Sequence, residues 1–451
     1  MSAIEYDIVI VGAGASGALT AVQLRRRAPA PKVGLVEGGA RVARGLAYGT
    51  PYGAHLLNVP ARGMSAFPEE PNHFAGWLAS RLPGSSGETF APRPLYGEYL
   101  SELVAGGAGE SGAIDRIAGT AVGMTRAARG WVLHLHDGGT VRARAVVLAL
   151  GNLPPDDPAA LTSLADERYV RDPWAPGAAA GLDRDATVLM IGAGLTMVDL
   201  LLTLQVEGHR GPVHALSRHG ALPREHAPAA PRPLAAAPSL PTPRAAAARV
   251  RGVARAATRE GGDWRSVIDS LRPHTAAIWS GWDLRGRRSF LRHARYLWDA
   301  HRHRVAPEVG ARVRDLLEKG ALVVHRGRIT AVEATPSGLT VRWRRGAGRE
   351  ESRTVARVIN CTGPRSDYAT LDVPLVAALR RGGYLVPDPL GLGVETGTDG
   401  ALIGRDGAPV EGLFTLGPLR RPALWETTAI PEIRAQAAAL ARRLAEAIGA
   451  E

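Results

Sequence analysis

A pattern of strand, glycine turn, helix and strand occurs twice in this chain and constrains the fold more than any other feature. The first copy covers residues 6–37, from YDIVIV through GAGASG to KVGLVE. The second covers residues 186–218, from ATVLMIGAG through TMVDLLLTLQVEG to PVHALSR. Short β-branched runs that end in glycine are typical of buried parallel strands. The sequence therefore predicts an α/β protein with two Rossmann-like domains.

The first glycine turn has the residues of a dinucleotide site. Gly12 permits the tight turn, Gly14 lets a pyrophosphate approach the backbone, and Gly17 permits close packing of helix on strand. Ser16 and the phosphates would lie at the helix N-terminus. Glu37 ends the next strand, 20 residues after Gly17, where a carboxylate accepts hydrogen bonds from ribose hydroxyls. The early position of this turn and the carboxylate, which disfavours a 2′-phosphate, predict FAD.

The second glycine turn keeps the two glycines that serve the phosphates. Gly192 and Gly194 are present, Thr196 follows them, and only the packing glycine is replaced, by methionine. Ser217 and Arg218 end the next strand, where an NAD site would usually carry an acidic residue. A hydroxyl and a guanidinium suit a 2′-phosphate, which favours NADPH, with NADH as the open alternative.

The composition limits the other classes of function. Lysine plus arginine number 55 and aspartate plus glutamate 43, a net charge of +12, but the arginines are spread along the chain. No basic motif interleaved with aromatic residues is present, so a nucleic-acid partner is not expected. The single cysteine, Cys361, excludes a paired redox-cysteine relay. The sequence has no signal-like start and no apolar run of about 18 residues, so a cytoplasmic protein without a membrane span is expected.

The two turns divide the chain into two domains. Residues 1–155 and 355–451 are predicted to form a discontinuous FAD-binding domain, and residues 185–354 the NAD(P)-binding domain. An insert at about 221–318 is predicted to be helical after a Pro/Ala-rich surface loop at 227–247.

Four segments resemble a known family. The bacterial FAD–NAD(P)-binding protein family, related to flavin-dependent N-hydroxylating and Baeyer–Villiger-type monooxygenases, is similar to this chain over nearly its whole length. The resemblance rests on GLAYGTPYGAHLLNVPARGMSAFPEEPNHFAGWL (45–78), VINCTGP (358–364), PDPLGLGVE (387–395) and LWETTAIPEIRAQA (424–437). It implies the two-domain fold, both cofactors and a flavin ring beside LLNVPARGMS.

The segment around Asn58, Met64 and Ser65 is a candidate flavin-ring contact. It is too apolar for a solvent-exposed loop, and Asn58 and Ser65 could hydrogen-bond ring atoms or a flavin hydroperoxide as catalytic residues. An ordinary buried loop is the alternative for each residue.

Further cofactor contacts are predicted where strands and helices meet the flavin or nicotinamide. The strands VVLALGN and VINCTGP end in the same way, which makes Gly151, Thr362 and Gly363 candidates. The helix that begins near Ile430 could stabilise a reduced flavin through its N-terminus. Gly417 and Trp425, which precede that helix, are the remaining candidates.

The insert supplies four tryptophans and a histidine run. Trp264, Trp279, Trp282 and Trp298 line a substrate pocket or form the core of the insert. The HRHR run at 301–304 lacks a carboxylate or cysteine at metal spacing, so no metal is expected.

The expected function is that of an FAD-dependent oxidoreductase reduced by NADPH. Without a thiol relay, a monooxygenase is favoured, in which a C4a-(hydro)peroxyflavin oxygenates a nitrogen or sulfur nucleophile of a small molecule. Dioxygen and that molecule would be the partners, and a homo-oligomer is compatible with the sequence. The alternatives are a flavin dehydrogenase that passes electrons to a partner or small acceptor, and a non-catalytic flavin-binding redox sensor.

Overall fold

The structure, a computed structural model, describes residues 5–27, 30–39, 42–106, 114–229 and 240–449. Its strands, in chain order, are β1 (Tyr6–Val11), β2 (Val33–Glu37), β3 (Ile114–Ala118), β4 (Ala121–Arg126), β5 (Trp131–Leu135), β6 (Thr140–Leu148), β7 (Tyr169–Val170), β8 (Val188–Ile191), β9 (Val213–Ser217), β10 (Leu322–Arg326), β11 (Arg328–Thr335), β12 (Gly338–Arg344), β13 (Glu350–Val355), β14 (Arg357–Asn360), β15 (Ala401–Ile403) and β16 (Pro409–Thr415).

The α-helices are α1 (Ala15–Arg25), α2 (Gly45–Tyr48), α3 (His73–Arg81), α4 (Arg93–Ala105), α5 (Leu195–Val206), α6 (Pro243–Arg259), α7 (Trp264–Leu271), α8 (Thr275–Ser280), α9 (Leu284–His293), α10 (Arg295–Arg302), α11 (Pro307–Glu318), α12 (Pro374–Arg381), α13 (Arg421–Leu424) and α14 (Ile430–Gly449). Short 3-10 helices occur at Ala61–Gly63, Ala159–Leu161, Arg272–His274 and Gly417–Arg420.

The first sheet is built around β1. Its order is β15-β16-β6-β1-β2-β3, and β1 pairs in parallel with both β2 and β6. The apolar residues of β1 are buried because helices α1, α4 and α14 cover one face, while the β4–β5 hairpin and α12 cover the other. This sandwich places the carboxyl ends of β1, β2 and β6 at one edge, where ligands bind in such folds.

The second sheet is wholly parallel and has the order β10-β9-β8-β14-β7. Helices α5 and α11 cover one face, and the antiparallel strands β11–β13 pack on the other. β8 lies between β9 and β14, as β1 lies between β2 and β6. The predicted α/β class with two Rossmann-like domains is confirmed.

Two strands near the expected domain boundaries pair within the second sheet. The FAD-binding domain was expected to resume at 355, but β14 pairs in parallel with β8 in the second sheet. β7, which lies before the expected start at 185, pairs with β14. The second sheet therefore takes its strands from the segment between β7 and β14.

The insert between β9 and α11 is helical, as the sequence predicts, and contains α6 to α10. Of the loop expected at 227–247, residues 230–239 lie outside the described residues. The last part, 243–247, is helical instead. Thr242 caps α6 by accepting a hydrogen bond from Ala245 N at 3.2 Å, and Pro243 is tolerated because the first helical N–H needs no partner.

Membrane insertion was not expected from the sequence. Over the described part of the chain, no helix is long and apolar enough to cross a bilayer.

Candidate functional site

The first glycine turn has the backbone that a bound pyrophosphate requires. Gly12 has a φ of +101°, which side chains rarely adopt, and a Cβ there would lie 2.5 Å from the carbonyl oxygen of Ala149. A Cβ on Gly17 would overlap the carbonyl oxygen of Gly12, so glycine permits the close packing of α1 on β1. Gly14 precedes α1 without a side-chain cap. The first N–H groups of α1 are therefore free to donate hydrogen bonds to the oxygens of a phosphate placed at the helix N-terminus.

Glu37 lies at the end of β2 and reaches this turn with its carboxylate. Oε2 accepts a hydrogen bond from Ala13 N at 3.1 Å, and Oε1 accepts one from Gly39 N at 2.9 Å. Both oxygens keep lone pairs for further donors. Glu37 is thus placed beside the phosphate position, where ribose hydroxyls could donate to it.

The second glycine turn repeats this geometry. Gly192 has a φ of +113°, and a Cβ on it would overlap the carbonyl oxygen of Cys361, which follows β14. Gly194 precedes α5 without a side-chain cap, and a Cβ there would meet no atom within 4 Å. Met197, at the position of the missing glycine, is fully buried in the core between the second sheet and its helices. The methionine replaces a packing contact and leaves the phosphate-facing backbone intact.

The end of β9 carries a cluster of positive charge. Partial burial and the neighbouring charges of Arg328 and Arg295 lower the pKa of Arg218. The ring of His219 stacks on Tyr296, with centroids 3.8 Å apart and planes at 11°. Guanidinium groups that repel one another are stabilised by a shared anion, so the cluster can hold a phosphate.

Ser217 lies beside this cluster and is already engaged in a turn. Its Oγ accepts a hydrogen bond from Gly220 N at 3.0 Å. A hydroxyl can accept that bond and still donate its own proton to another acceptor. Ser217 can therefore contribute one hydrogen bond to an anion held by Arg218.

A buried ion pair joins α5, the helix that follows the second glycine turn, to the first domain. Asp199 in α5 accepts two hydrogen bonds from Arg93, at 2.7 and 3.0 Å. Nε2 of His55 lies 2.9 Å from both the carbonyl oxygen of Asp199 and Oγ1 of Thr203. Sequence reasoning missed Arg93 and Asp199. Asp199 does interrupt an otherwise apolar helical run, but that signal does not identify its partner.

A cleft of about 110 Å³ lies where the two domains meet. It brings the predicted Thr196 and Gly363 together with Leu46, Arg93 and Trp174. The segment after β6 contributes Asn152 and Leu153, directly after Gly151. Thr362, beside Gly363, donates its hydroxyl to Oδ1 of Asn360 at 2.7 Å. The strand ends predicted to contact cofactors therefore converge at one cleft.

The loop predicted to contact the flavin ring is largely committed to packing. Met64 is 2% exposed and packs in the core between the first sheet and its helices. Asn58 is half-buried, and its carbonyl oxygen lies 3.0 Å from Nε2 of His226. Ser65 is fully buried, and its Oγ contacts the carbonyl oxygens of Phe67 and Glu70 at 3.1 and 2.7 Å. Because that hydroxyl stabilises its own turn, we leave Ser65 out of the proposed reaction.

The segment before α14 lies against the first glycine turn. A Cβ on Gly417 would be 2.9 Å from Oγ of Ser16, and the hydroxyl of Thr427 donates to the carbonyl oxygen of Gly417 at 2.8 Å. Ile430, buried, begins α14. Trp425 instead stacks on Trp279 of the insert, with ring centroids 4.8 Å apart. The ring of Trp425 therefore packs in the wall of the insert, and its predicted contact with the flavin stays a prediction.

Comparisons with known proteins agree with this geometry. Residues 9–153 match the model of a family described as FAD-NAD(P)-binding. The first domain is an FAD/NAD(P)-binding domain. Among curated proteins, none matches the chain significantly in sequence.

Solved structures similar to the chain share its two-domain fold. L-lysine 6-monooxygenase from Pseudomonas syringae is 17% identical with a TM-score of 0.68, over 98% of this chain and 100% of that chain. Ornithine hydroxylase (PvdA) from Pseudomonas aeruginosa is 16% identical with a TM-score of 0.67, over 98% and 99%. Thioredoxin reductase from Lactococcus lactis is 12% identical with a TM-score of 0.55, over 99% and 100%. Identities this low show the fold and leave the reaction to the site residues.

Proposed function

We propose that the chain is an FAD-dependent oxidoreductase reduced by NADPH, and that it is a monooxygenase acting on a nitrogen or sulfur nucleophile of a small molecule. The observation that carries the proposal is the pair of glycine turns with the same backbone geometry, whose adjoining strand ends meet at one cleft. The first turn suits FAD because Glu37 stands beside it. The second suits NADPH because Arg218 follows its strand.

Each cofactor would be held mainly by the backbone. The N–H groups after Gly14 and Gly194 would bind the two pyrophosphates, and Glu37 would accept the ribose hydroxyls of FAD. The bound nicotinamide and flavin would supply the hydride-transfer and oxygen chemistry. The chain orients the two rings and excludes water. The cleft beside Thr196 and Gly363, which Trp174 also lines, is suited to that task.

A disulfide reductase is disfavoured although the fold is shared with a thioredoxin reductase. Cys361 is buried, and burial raises the pKa of its thiol, so it is a poor nucleophile. With one cysteine in the sequence, a dithiol relay cannot form within the chain. The structural similarity to proteins named ornithine hydroxylase and L-lysine 6-monooxygenase supports the proposed transfer of oxygen to a nucleophile.

Rapid mixing of the NADPH-reduced enzyme with oxygen tests the proposal. We expect a transient absorbance that belongs to neither reduced nor oxidised flavin, and a product containing one oxygen atom from dioxygen. A direct return to oxidised flavin would instead identify a flavin dehydrogenase, if hydrogen peroxide or a reduced artificial acceptor accounts for all the electrons that NADPH supplies. Purified protein that binds no FAD would contradict both functions.

Replacing Arg218 with alanine should raise the KM for NADPH about tenfold and change the KM for NADH little. The lost interaction is a charged hydrogen bond to the 2′-phosphate, worth about 1.5–3 kcal/mol. Steady-state kinetics with both nucleotides measure this difference. Arg210→Ala is the matched control, since Arg210 lies at the opposite end of β9, exposed and paired with Asp185. Equal effects on the two nucleotides would defeat the assignment.

Replacing Glu37 with alanine should weaken FAD binding about tenfold, because two ribose hydroxyls lose their acceptor. The ratio of flavin to protein absorbance after gel filtration, followed by titration with FAD, reports the affinity. Glu333→Ala, which removes an exposed carboxylate from β11, serves as the control. A Glu37→Ala protein that purifies with full FAD content would show that the carboxylate does not hold the ribose.

A further inference from the structure

The helical insert encloses a cavity of about 740 Å³ that the two cofactor turns do not use. Helices α6 to α10 form most of its wall. The cavity is lined chiefly by aromatic and aliphatic side chains, among them Trp264, Trp279, Trp282, Trp298, Phe290 and Val250. The four tryptophans therefore both stabilise the insert and surround an apolar space, a combination typical of small-molecule sites.

Trp425 connects this cavity to the first domain. It follows α13, lines the cavity and stacks on Trp279 at an interplanar angle of 27°. Its φ is +62°, an uncommon value for a bulky residue, which packing on both sides maintains. Its Nε1 is buried without a hydrogen-bond partner among the described residues. Only a few residues separate this ring from Gly417, which lies against the first glycine turn.

Glu426 fixes the cavity wall to the same segment. Nε1 of Trp298 donates a hydrogen bond to Oε1 of Glu426 at 2.6 Å, and His303 and Arg302 lie on the other oxygen at 3.5 and 3.8 Å. Burial acts against ionisation, but these neighbours hold the pKa of Glu426 at about 2. A carboxylate that is ionised at neutral pH therefore ties the aromatic wall to the chain that leads into α14.

The charged side chains that line the cavity are all basic. Arg244 and Arg251 on α6 and His293 on α9 line it and are exposed. No aspartate or glutamate is among the described residues that line it. A cationic ligand such as a diamine needs a carboxylate partner when its ammonium group leaves water. The cavity therefore favours an apolar body with an anionic end and disfavours a cation.

We propose that this cavity binds a small molecule with an apolar chain or ring system and an anionic group, the apolar part against Trp425 and the anionic group beside Arg251. We propose further that this is the substrate site of the enzyme, a part that rests on the proposed function.

Ligands that share one chain length test the chemical class. The FAD-loaded protein is titrated with decanoate, decan-1-ol and decylammonium, with tryptophan fluorescence and calorimetry as readouts. We expect saturable binding of decanoate, weaker binding of decan-1-ol, and binding of decylammonium at least about tenfold weaker than decanoate. Equal affinities for decanoate and decylammonium would overturn the proposed charge preference.

Two variant pairs locate the site. Ala254→Trp adds a ring inside the cavity and should abolish decanoate binding, whereas Ala248→Trp, on the exposed face of the same helix, should retain it. Arg251→Ala should weaken the binding of decanoate about threefold, since an exposed ion pair contributes modestly to affinity. The same variant should leave the binding of decan-1-ol unchanged. Arg255→Ala, exposed and outside the cavity lining, is its control. The arginine pair keeps the test decisive if Ala254→Trp does not fold. Decanoate binding that all four variants retain would overturn the proposed site.

Turnover separates the two parts of the proposal. Decanoate has no nitrogen or sulfur nucleophile, so it serves as a probe that occupies the substrate site. Its binding should change the rate of NADPH oxidation in the wild-type enzyme and leave the rate unchanged in Ala254→Trp. Saturable binding that has no effect on NADPH oxidation would remove the substrate role and keep the ligand site. A protein that binds decanoate and FAD but never oxidises NADPH would contradict the proposed function instead.

Discussion

Replacing Arg93 with alanine should lower the free energy of unfolding by about 3–5 kcal/mol, because it leaves the carboxylate of Asp199 buried without its charge partner. The two side chains are 12% and 8% exposed, and both guanidinium N–H groups donate to the carboxylate, at 2.7 and 3.0 Å. Arg93 also donates through Nε to the carbonyl oxygen of Leu56 at 3.0 Å. The loss should appear as a lower midpoint in guanidinium unfolding.

The same variant should impair electron transfer from NADPH. Asp199 lies in the helix that begins at the second glycine turn, so Arg93 positions that turn against the first domain. We expect a lower rate of flavin reduction in stopped-flow mixing, while flavin content stays near wild type because the first turn is intact. Arg93 is a positioning residue in this scheme, and a change in stability alone would leave the reduction rate unaltered.

Two comparisons make this prediction specific. Arg210→Ala breaks the pair with Asp185 at 2.9 Å, whose side chains are 69% and 67% exposed, and should cost less than about 1 kcal/mol. The double variant Arg93→Met with Asp199→Leu removes both charges and should recover most of the stability. If Arg93→Ala costs no more than Arg210→Ala, the ion pair does not hold the domains together.

The sequence predicts the cofactor turns well because their geometry depends on local chemistry. Positive φ at Gly12 and Gly192, and the missing caps before α1 and α5, follow from a few adjacent residues. The position of Glu37 follows from strand and helix lengths. These features recur with little influence from the rest of the chain, so motif spacing is enough to identify them.

The sequence predicts poorly what depends on contacts between distant segments. Arg93 and Asp199 are 106 residues apart, and neither residue alone indicates the pair. The membership of β14 in the second sheet is settled by its pairing with β8, since an apolar strand that ends in glycine suits either sheet. The position of Trp425 near α14 in sequence predicts a flavin contact, but it does not reveal the stacking of this ring on Trp279 of the insert.

Replacing Gly17 with alanine should both destabilise the first domain and remove most of the bound FAD. The new Cβ would overlap the carbonyl oxygen of Gly12, a backbone atom that cannot rotate away, so α1 or the turn must shift. Overpacking of this kind costs about 1–3 kcal/mol. A shifted turn also misplaces the N–H groups that face the pyrophosphate, and we expect FAD affinity to fall at least about tenfold. Flavin absorbance after gel filtration and thermal unfolding measure the two effects.

The glycine at 76 provides the matched control for Gly17→Ala. Gly76 lies within α3, and a Cβ on it would meet no atom within 4 Å. Gly76→Ala should therefore leave FAD binding unchanged and stabilise the protein by about 0.4–1 kcal/mol, since alanine has less freedom in the unfolded chain. The second turn already holds a side chain, Met197, at the position that corresponds to Gly17, and buries it completely. We therefore expect the close approach of helix to turn to be needed only in the first domain. A Gly17→Ala protein with full FAD content would contradict this expectation.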